Sequence, residues 1–240
     1  MLKKLLLVTV ASLALSGVAQ AADIVEPTAY DWTGPYIGIQ GGYAWGSNDV
    51  DVDLTGAQPT LALAAQDVVL FPPDDGEIDI DGWLGGLHLG YLWQDDSLVF
   101  GIEGDGEFAD IDGDTDIVEF QGGPHIGSLE QEIDWLASLR LRLGFAMDRA
   151  LFYATGGLAV GGVKFSGDVF GTSDSEKSTE WGWTIGGGID YAFTDELSAR
   201  LEYRYTDLGN SDLTITRFDF DVDNTFSAVR VGLSWHFGAI

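Results

Sequence analysis

The sequence predicts an all-β fold: an eight-stranded antiparallel up-and-down barrel whose outer wall meets hydrocarbon. Three observations predict it. Eight segments alternate apolar and polar residues with the period of two that marks a strand. The connections between them alternate between long acidic stretches and turns of three or four residues. Past residue 21, no apolar run is long enough for a spanning helix, so a membrane chain of this kind must cross with strands closed on themselves.

Residues 1–21 read as a secretory signal peptide. Met-Leu-Lys-Lys precedes the apolar run Leu5–Leu15 and an Ala-x-Ala exit at Ala19–Ala21, too short a run to span a bilayer. Residues 22–33 then form an N-terminal periplasmic leader, 34–237 the barrel and 238–240 a C-terminal extension. An exported chain without cysteine has no disulfide to stabilise it. Its 39 acidic against 11 basic residues, a net charge of −28, argue against nucleic acid as a partner. With 8 Trp, 8 Tyr and 13 Phe it is not an acidic disordered chain either.

Strand one (Pro35–Trp45) sets Ile37, Ile39, Tyr43 and Trp45 on one face. Ser47–Asp81 follows, with nine acids and no Lys or Arg; within it Leu61–Phe71 fits a short helix or a strand extension equally well. Strand two (Gly82–Trp93) sets Trp83, Leu87, Leu89, Tyr91 and Trp93 opposite His88. After the turn Gln94–Ser97, strand three (Leu98–Phe108) sets Leu98, Phe100, Ile102 and Phe108 against Glu103, Asp105 and Glu107. A second acidic stretch, Ala109–Glu132, leads to strand four, Ile133–Phe145. Its odd positions, from Ile133 through Trp135 to Phe145, are wholly apolar; Arg140 and Arg142 lie on the other face. Strand five (Ala150–Phe165) offers Phe152 and Leu158 on one face and Leu151 and Tyr153 on the other, and its facing stays open. Strand six sets Trp181, Trp183, Ile185, Ile189, Tyr191 and Phe193 against Thr184 and Asp190. Strand seven sets Leu197, Ala199, Leu201, Tyr203 and Tyr205 against Arg200, Glu202 and Arg204. Strand eight (Thr225–Phe237) sets Val229, Val231, Leu233, Trp235 and Phe237 against Arg230, Ser234 and His236. The third and fourth acidic stretches are Ser166–Glu180 and Asp207–Asn224. Four long acidic extracellular loops, short periplasmic turns and both termini in the periplasm fit an outer-membrane barrel.

A soluble barrel would turn its apolar faces inward. Two features oppose that. Trp45, Trp83, Trp93, Trp135, Trp181, Trp235 and Phe237 cluster at the ends of the apolar stripes, as an interfacial girdle requires. The polar faces hold both signs of charge: Glu103, Asp105, Glu107 and Glu202 against Arg140, Arg142, Arg200, Arg204 and Arg230. An arginine facing lipid at the midplane costs about 2–4 kcal/mol. Five would overwhelm a stability of about 5–15 kcal/mol, so the polar faces are expected to line the lumen and pair there.

Four motifs now bear on family. Asp31-Trp-Thr-Gly-Pro-Tyr-Ile-Gly38 opens strand one, and Tyr153-Ala-Thr-Gly-Gly-Leu-Ala159 lies in strand five. Leu201-Glu-Tyr-Arg-Tyr-Thr-Asp-Leu-Gly209 closes strand seven, and Val231-Gly-Leu-Ser-Trp-His-Phe237 ends strand eight. In this order they resemble the RopB-type porin-like surface proteins of alphaproteobacteria, small barrels related in architecture to the OmpA transmembrane domain. The resemblance implies the bacterial outer membrane, lipid and lipopolysaccharide as surroundings, and a porin-like or surface role, with haemin binding among the functions of some members. It also implies that the assembly machinery reads the C-terminal strand. In that family the final aromatic commonly ends the chain, whereas here Gly238-Ala-Ile240 follows Phe237.

The lumen charges fit either a narrow ion path or a side-chain plug. The plug is favoured, because an eight-stranded interior is just wide enough for side chains to fill. The loops fit adhesion or ligand capture, haemin or cations included, as the alternative function. Asp110, Asp112, Asp114 and Asp116 resemble half a calcium loop, but the glycine is misplaced and no glutamate follows at the twelfth position. Solvated acidic loops are therefore expected rather than a metal site. A lipid-modifying enzyme is the least favoured reading. His88 and His236 face the lumen and His125 lies in a loop, and none forms a Ser-His-Asp set by local motif. No cofactor is expected, and the oligomeric state is open.

Overall fold

The computed structural model describes residues 30–53, 77–118, 125–169, 172–215 and 218–238. They form β1 (Gly34–Asp53), β2 (Glu77–Asp95), β3 (Leu98–Val118), β4 (His125–Met147), β5 (Ala150–Val169), β6 (Thr172–Ala192), β7 (Leu197–Ile215) and β8 (Phe218–His236). Each strand pairs antiparallel with the next, and β8 closes on β1. The expected signal peptide, the leader up to residue 29, Leu61–Phe71 and the last two residues lie outside the described residues.

The register sets the tilt. Followed around the wall from Ile37 through Leu89, Gly104, Leu139, Leu158, Trp183 and Asp207, the ladder reaches β8 at Thr225. Ile37 itself pairs with Trp235. A stagger of ten residues over eight strands about 4.8 Å apart tilts the strands by roughly 40°. Trp83 and Trp93, Trp135 and Phe145, and Trp181 and Tyr191 are each ten positions apart. At about 3.3 Å per residue and this tilt they bracket roughly 25 Å, the height of the apolar band of an outer-membrane barrel. The seven girdle residues named from the sequence all project outward and are at least 37% exposed. Between the two aromatic levels the outer wall carries Leu87, Leu139, Leu141, Leu158 and Val231.

The strands run 19 to 23 residues, well past this band. Much of what reads as loop is therefore ladder: β5 and β6 are separated by two residues, and so are β7 and β8. The physical reason is that above the lipid both faces meet polar surroundings, so the alternation stops while the pairing continues. His125, expected in a loop, is the first residue of β4, and Asp110–Asp116 lie within β3. A calcium loop must curl around its ion. In the strand Asp110, Asp112 and Asp114 instead splay along one exposed row.

Two facings need correction or resolution. A register shift at Ile133–Trp135 against both β3 and β5 turns Ile133 into the lumen, where it is 1% exposed. Strict parity placed it on the outer face, and the bulge reverses it. In β5, Leu151, Tyr153, Thr155, Ala159 and Val163 point inward and Phe152 and Leu158 outward.

From the turn end, the interior begins with an apolar cluster of Tyr30, Trp32, Tyr36, Leu92, Val99, Leu151, Tyr153 and Ala192. A charged layer follows, then Leu84, Leu136, Ile111, Ile133, Val163 and Phe226. Near the far end Asn48, Gln131 and Asn224 join through bonds of 3.2 and 2.7 Å.

Candidate functional site in the barrel lumen

All nine charged residues picked out from the sequence line the lumen and are buried. They comprise five arginines and only four carboxylates, and Asp190 on β6 is the fifth acid. It was legible: its strand parity placed it inward, and buried charges are tolerated only when paired.

The pairs span the barrel. β3 carries Glu103, Asp105 and Glu107, and β7, four strands away on the opposite wall, carries Arg200 and Arg204. Arg200 donates to both oxygens of Glu103 at 3.0 and 2.6 Å. Arg204 lies 3.0 Å from Asp105 and 3.7 Å from Glu107, and donates to Glu202 at 2.6 and 2.8 Å. Arg140 donates to Glu103, and to Glu202 and Thr155 at 3.1 Å each; it also lies 3.1 Å from Asp105. Arg142 binds Asp190 at 2.5 Å and stacks over Tyr153, 3.5 Å from the ring centroid. Arg230 binds Glu107 at 3.0 Å, and Gln40 donates to the same carboxylate at 2.8 Å.

The layer is built from a pattern that occurs twice. Tyr36, Gly90, Glu103, Arg140 and Gly157 form one continuous register row across β1 to β5. Tyr153, Gly188, Glu202, Arg230 and Gly42 form a second across β5 to β8 and back to β1. In each, the tyrosine lies across the glycine of the next strand and its hydroxyl donates to the glutamate beyond, Tyr36 at 2.5 Å and Tyr153 at 2.9 Å. A Cβ at Gly90 would come within 2.6 Å of the Tyr36 hydroxyl, and one at Gly188 within 2.7 Å of that of Tyr153. A side chain at either position would crowd the tyrosine that lies across it. Parity alone does not single out these tyrosines, since tyrosine suits either face.

The histidines do find serines in space: His88 Nε2 is 2.8 Å from Ser234 Oγ, and His236 Nε2 is 2.9 Å from Ser198 Oγ. Both pairs are buried, and His88 Nδ1 has no hydrogen-bond partner. Among the described residues no group of three or more His, Asp or Glu is arranged to hold a metal ion.

Comparison with known proteins agrees with this architecture. A family model described as "Outer membrane protein beta-barrel domain" matches residues 8–237. The 31 kDa outer-membrane immunogenic protein of Brucella melitensis is 33% identical over 98% of this chain and 100% of its own length. The 22 kDa outer membrane protein of Rhizobium leguminosarum is 33% identical over 65% of this chain and 67% of its own. Among solved structures, the outer membrane protein OprG from Pseudomonas aeruginosa aligns with a TM-score of 0.57 at 18% identity, covering 88% of this chain and 99% of that one.

Proposed function

The chain belongs to the outer-membrane protein β-barrel family, and on that premise we propose that it is a structural, porin-like surface protein whose lumen is a fixed salt-bridge plug rather than a water channel. Its place is the bacterial outer membrane. The observation that carries the plug reading is the pairing of five buried arginines with five buried carboxylates, Arg200 and Arg204 reaching from β7 to β3 on the opposite wall. The cavity left between Asp105, Glu107, Ser138, Arg204 and Arg230 is about 10 Å³, room for roughly one water. Planar-bilayer recording tests it. No stable single-channel conductance is expected. A steady open channel that vanishes in Arg140→Ala or Glu103→Ala would overturn the plug.

Catalysis is not part of this function. His88 and His236 are sealed within the wall, and His88 lacks the acid that would orient it as a base toward serine. Mass spectrometry of lipid A from cells with and without the protein is expected to show identical species; a changed acyl or phosphate pattern would refute this.

Lipid and lipopolysaccharide are the partners the reading implies. Just beyond the outer aromatic level, Asp81, Asp112 and Glu132 are register neighbours on β2, β3 and β4. Like charges on adjacent strands repel, and Lys164 neutralises only Glu132, at 2.7 Å. Cations drawn to this row would also bridge it to lipopolysaccharide phosphates. The assembly machinery is expected to read β8, whose following residue Phe237 points outward. The word immunogenic in the name of the Brucella relative suits a rim displayed at the cell surface.

A further inference from the structure

The residues just before β1 do not trail away from the barrel. Trp32 is 1% exposed and Tyr30 is buried beside it, both inside the mouth at the turn end. We propose that Tyr30–Thr33 form a latch that closes the periplasmic mouth and docks only after the barrel has closed.

The seat of this segment is assembled from every corner of that mouth. Trp32 N donates to Gln94 Oε1 at 2.8 Å, and Gln94 N donates to Thr33 Oγ1 at 3.1 Å, at the β2–β3 turn. Tyr30 N donates to the carbonyl of Asp148 at 3.2 Å, at the β4–β5 turn. The Tyr30 hydroxyl donates to the carbonyl of Asp195 at 3.1 Å, at the β6–β7 turn, and Arg149, itself 2.7 Å from Asp195, lies 5.9 Å from the Tyr30 ring centre. His236 at the end of β8 meets the edges of both rings, 5.5 Å from Trp32 and 6.0 Å from Tyr30. These groups come together only when β8 has paired with β1, so the latch has nowhere to dock in an open sheet. Trp32 Nε1 has no hydrogen-bond partner, so packing on Leu92, Val99, Leu151 and Ala192 holds the indole. Burial, with Asp195 adding to it, pushes the Tyr30 hydroxyl up to about 12.

The latch and the charged plug are separate barriers, because Val99 lies on the mouth side of the charged layer. The chain has no cysteine, so Val99→Cys gives a single thiol beneath the latch. Full-length protein in lipid vesicles is treated with a hydrophilic maleimide, and heat-modifiable gel mobility verifies that each variant forms the barrel. With Trp32 present the thiol is expected to be protected. Trp32→Gly should raise the labelling rate at least tenfold, Trp32→Phe should largely restore protection, and Glu196→Gln, exposed on the β6–β7 turn outside the latch, should change nothing. Equal labelling with and without Trp32, fast or slow, would overturn the seal. A second measurement needs no change in the latch. When Val99→Cys protein refolds from urea, the heat-modifiable band should appear before thiol protection does. Protection that arrives with the band or ahead of it would overturn the late docking.

Discussion

The two halves of the barrel carry the same Tyr–Gly–Glu–Arg–Gly row at the same register, yet they do not make the same ion pairs. Glu103 sits on a strand of acids and takes its cations from elsewhere: Arg140 and Arg142 from β4, and Arg200 from the opposite wall. Glu202 sits between Arg200 and Arg204 on its own strand and is satisfied largely by Arg204 and by Arg140. Arg230, the row partner of Glu202, is thereby released to bind Glu107. The position that decides this lies two residues along from each glutamate: Asp105 in the first half, Arg204 in the second. Register sets which groups can meet, and the sign of the charge one pleat away sets which do.

The comparison is broken most severely at Glu103. Glu103→Gln leaves three arginines short of a partner and should destabilise the barrel by about 3–5 kcal/mol, read as a lowered urea midpoint of the heat-modifiable form. Glu202→Gln should cost measurably less, since Arg204 keeps Asp105; equal losses would mean that the two glutamates are equivalent after all. Arg140 touches both, so the double variant should depart from additivity by about 0.5–3 kcal/mol. A cycle that closes to zero would deny that Arg140 couples the halves. Tyr36→Phe and Tyr153→Phe each remove one hydrogen bond to a carboxylate, about 1.5–3 kcal/mol. Tyr153→Phe should lie at the lower end, because the ring under Arg142 survives. Smallest is the glycine contact. Gly90→Ala and Gly188→Ala crowd a tyrosine and a strand carbonyl and should cost about 1–3 kcal/mol each, with the tyrosine-to-Phe background relieving part of the loss in the same urea titration of the heat-modifiable form.

How much of this was legible follows from where alternation survives. Within the lipid-facing band, one face must be apolar and the other cannot be, so the eight strands and the inward course of all five arginines could be read directly. Above the band that constraint lapses, and strands such as β3 beyond Phe108 looked like loop. At Asp134 a bulge reversed the parity and hid Ile133. The fifth acid, Asp190, follows from charge balance, since five inward arginines call for as many inward carboxylates. Tyr30 and Trp32 left no periodic signal at all, since their seat is scattered over three turns and a strand end.

The sequence by itself determined the number of strands, their order, the wall that faces lipid and the charges that face inward, because each follows from what hydrocarbon and a closed hydrogen-bond ladder will accept along one strand. Only the tertiary structure decided which arginine meets which carboxylate, that the tyrosines lie across glycines of the next strand, and that the segment before β1 turns back into the mouth. Those contacts join residues as far apart as Tyr30 and Asp195, and their geometry exists only once the barrel's stagger brings opposite walls to within a side chain's reach.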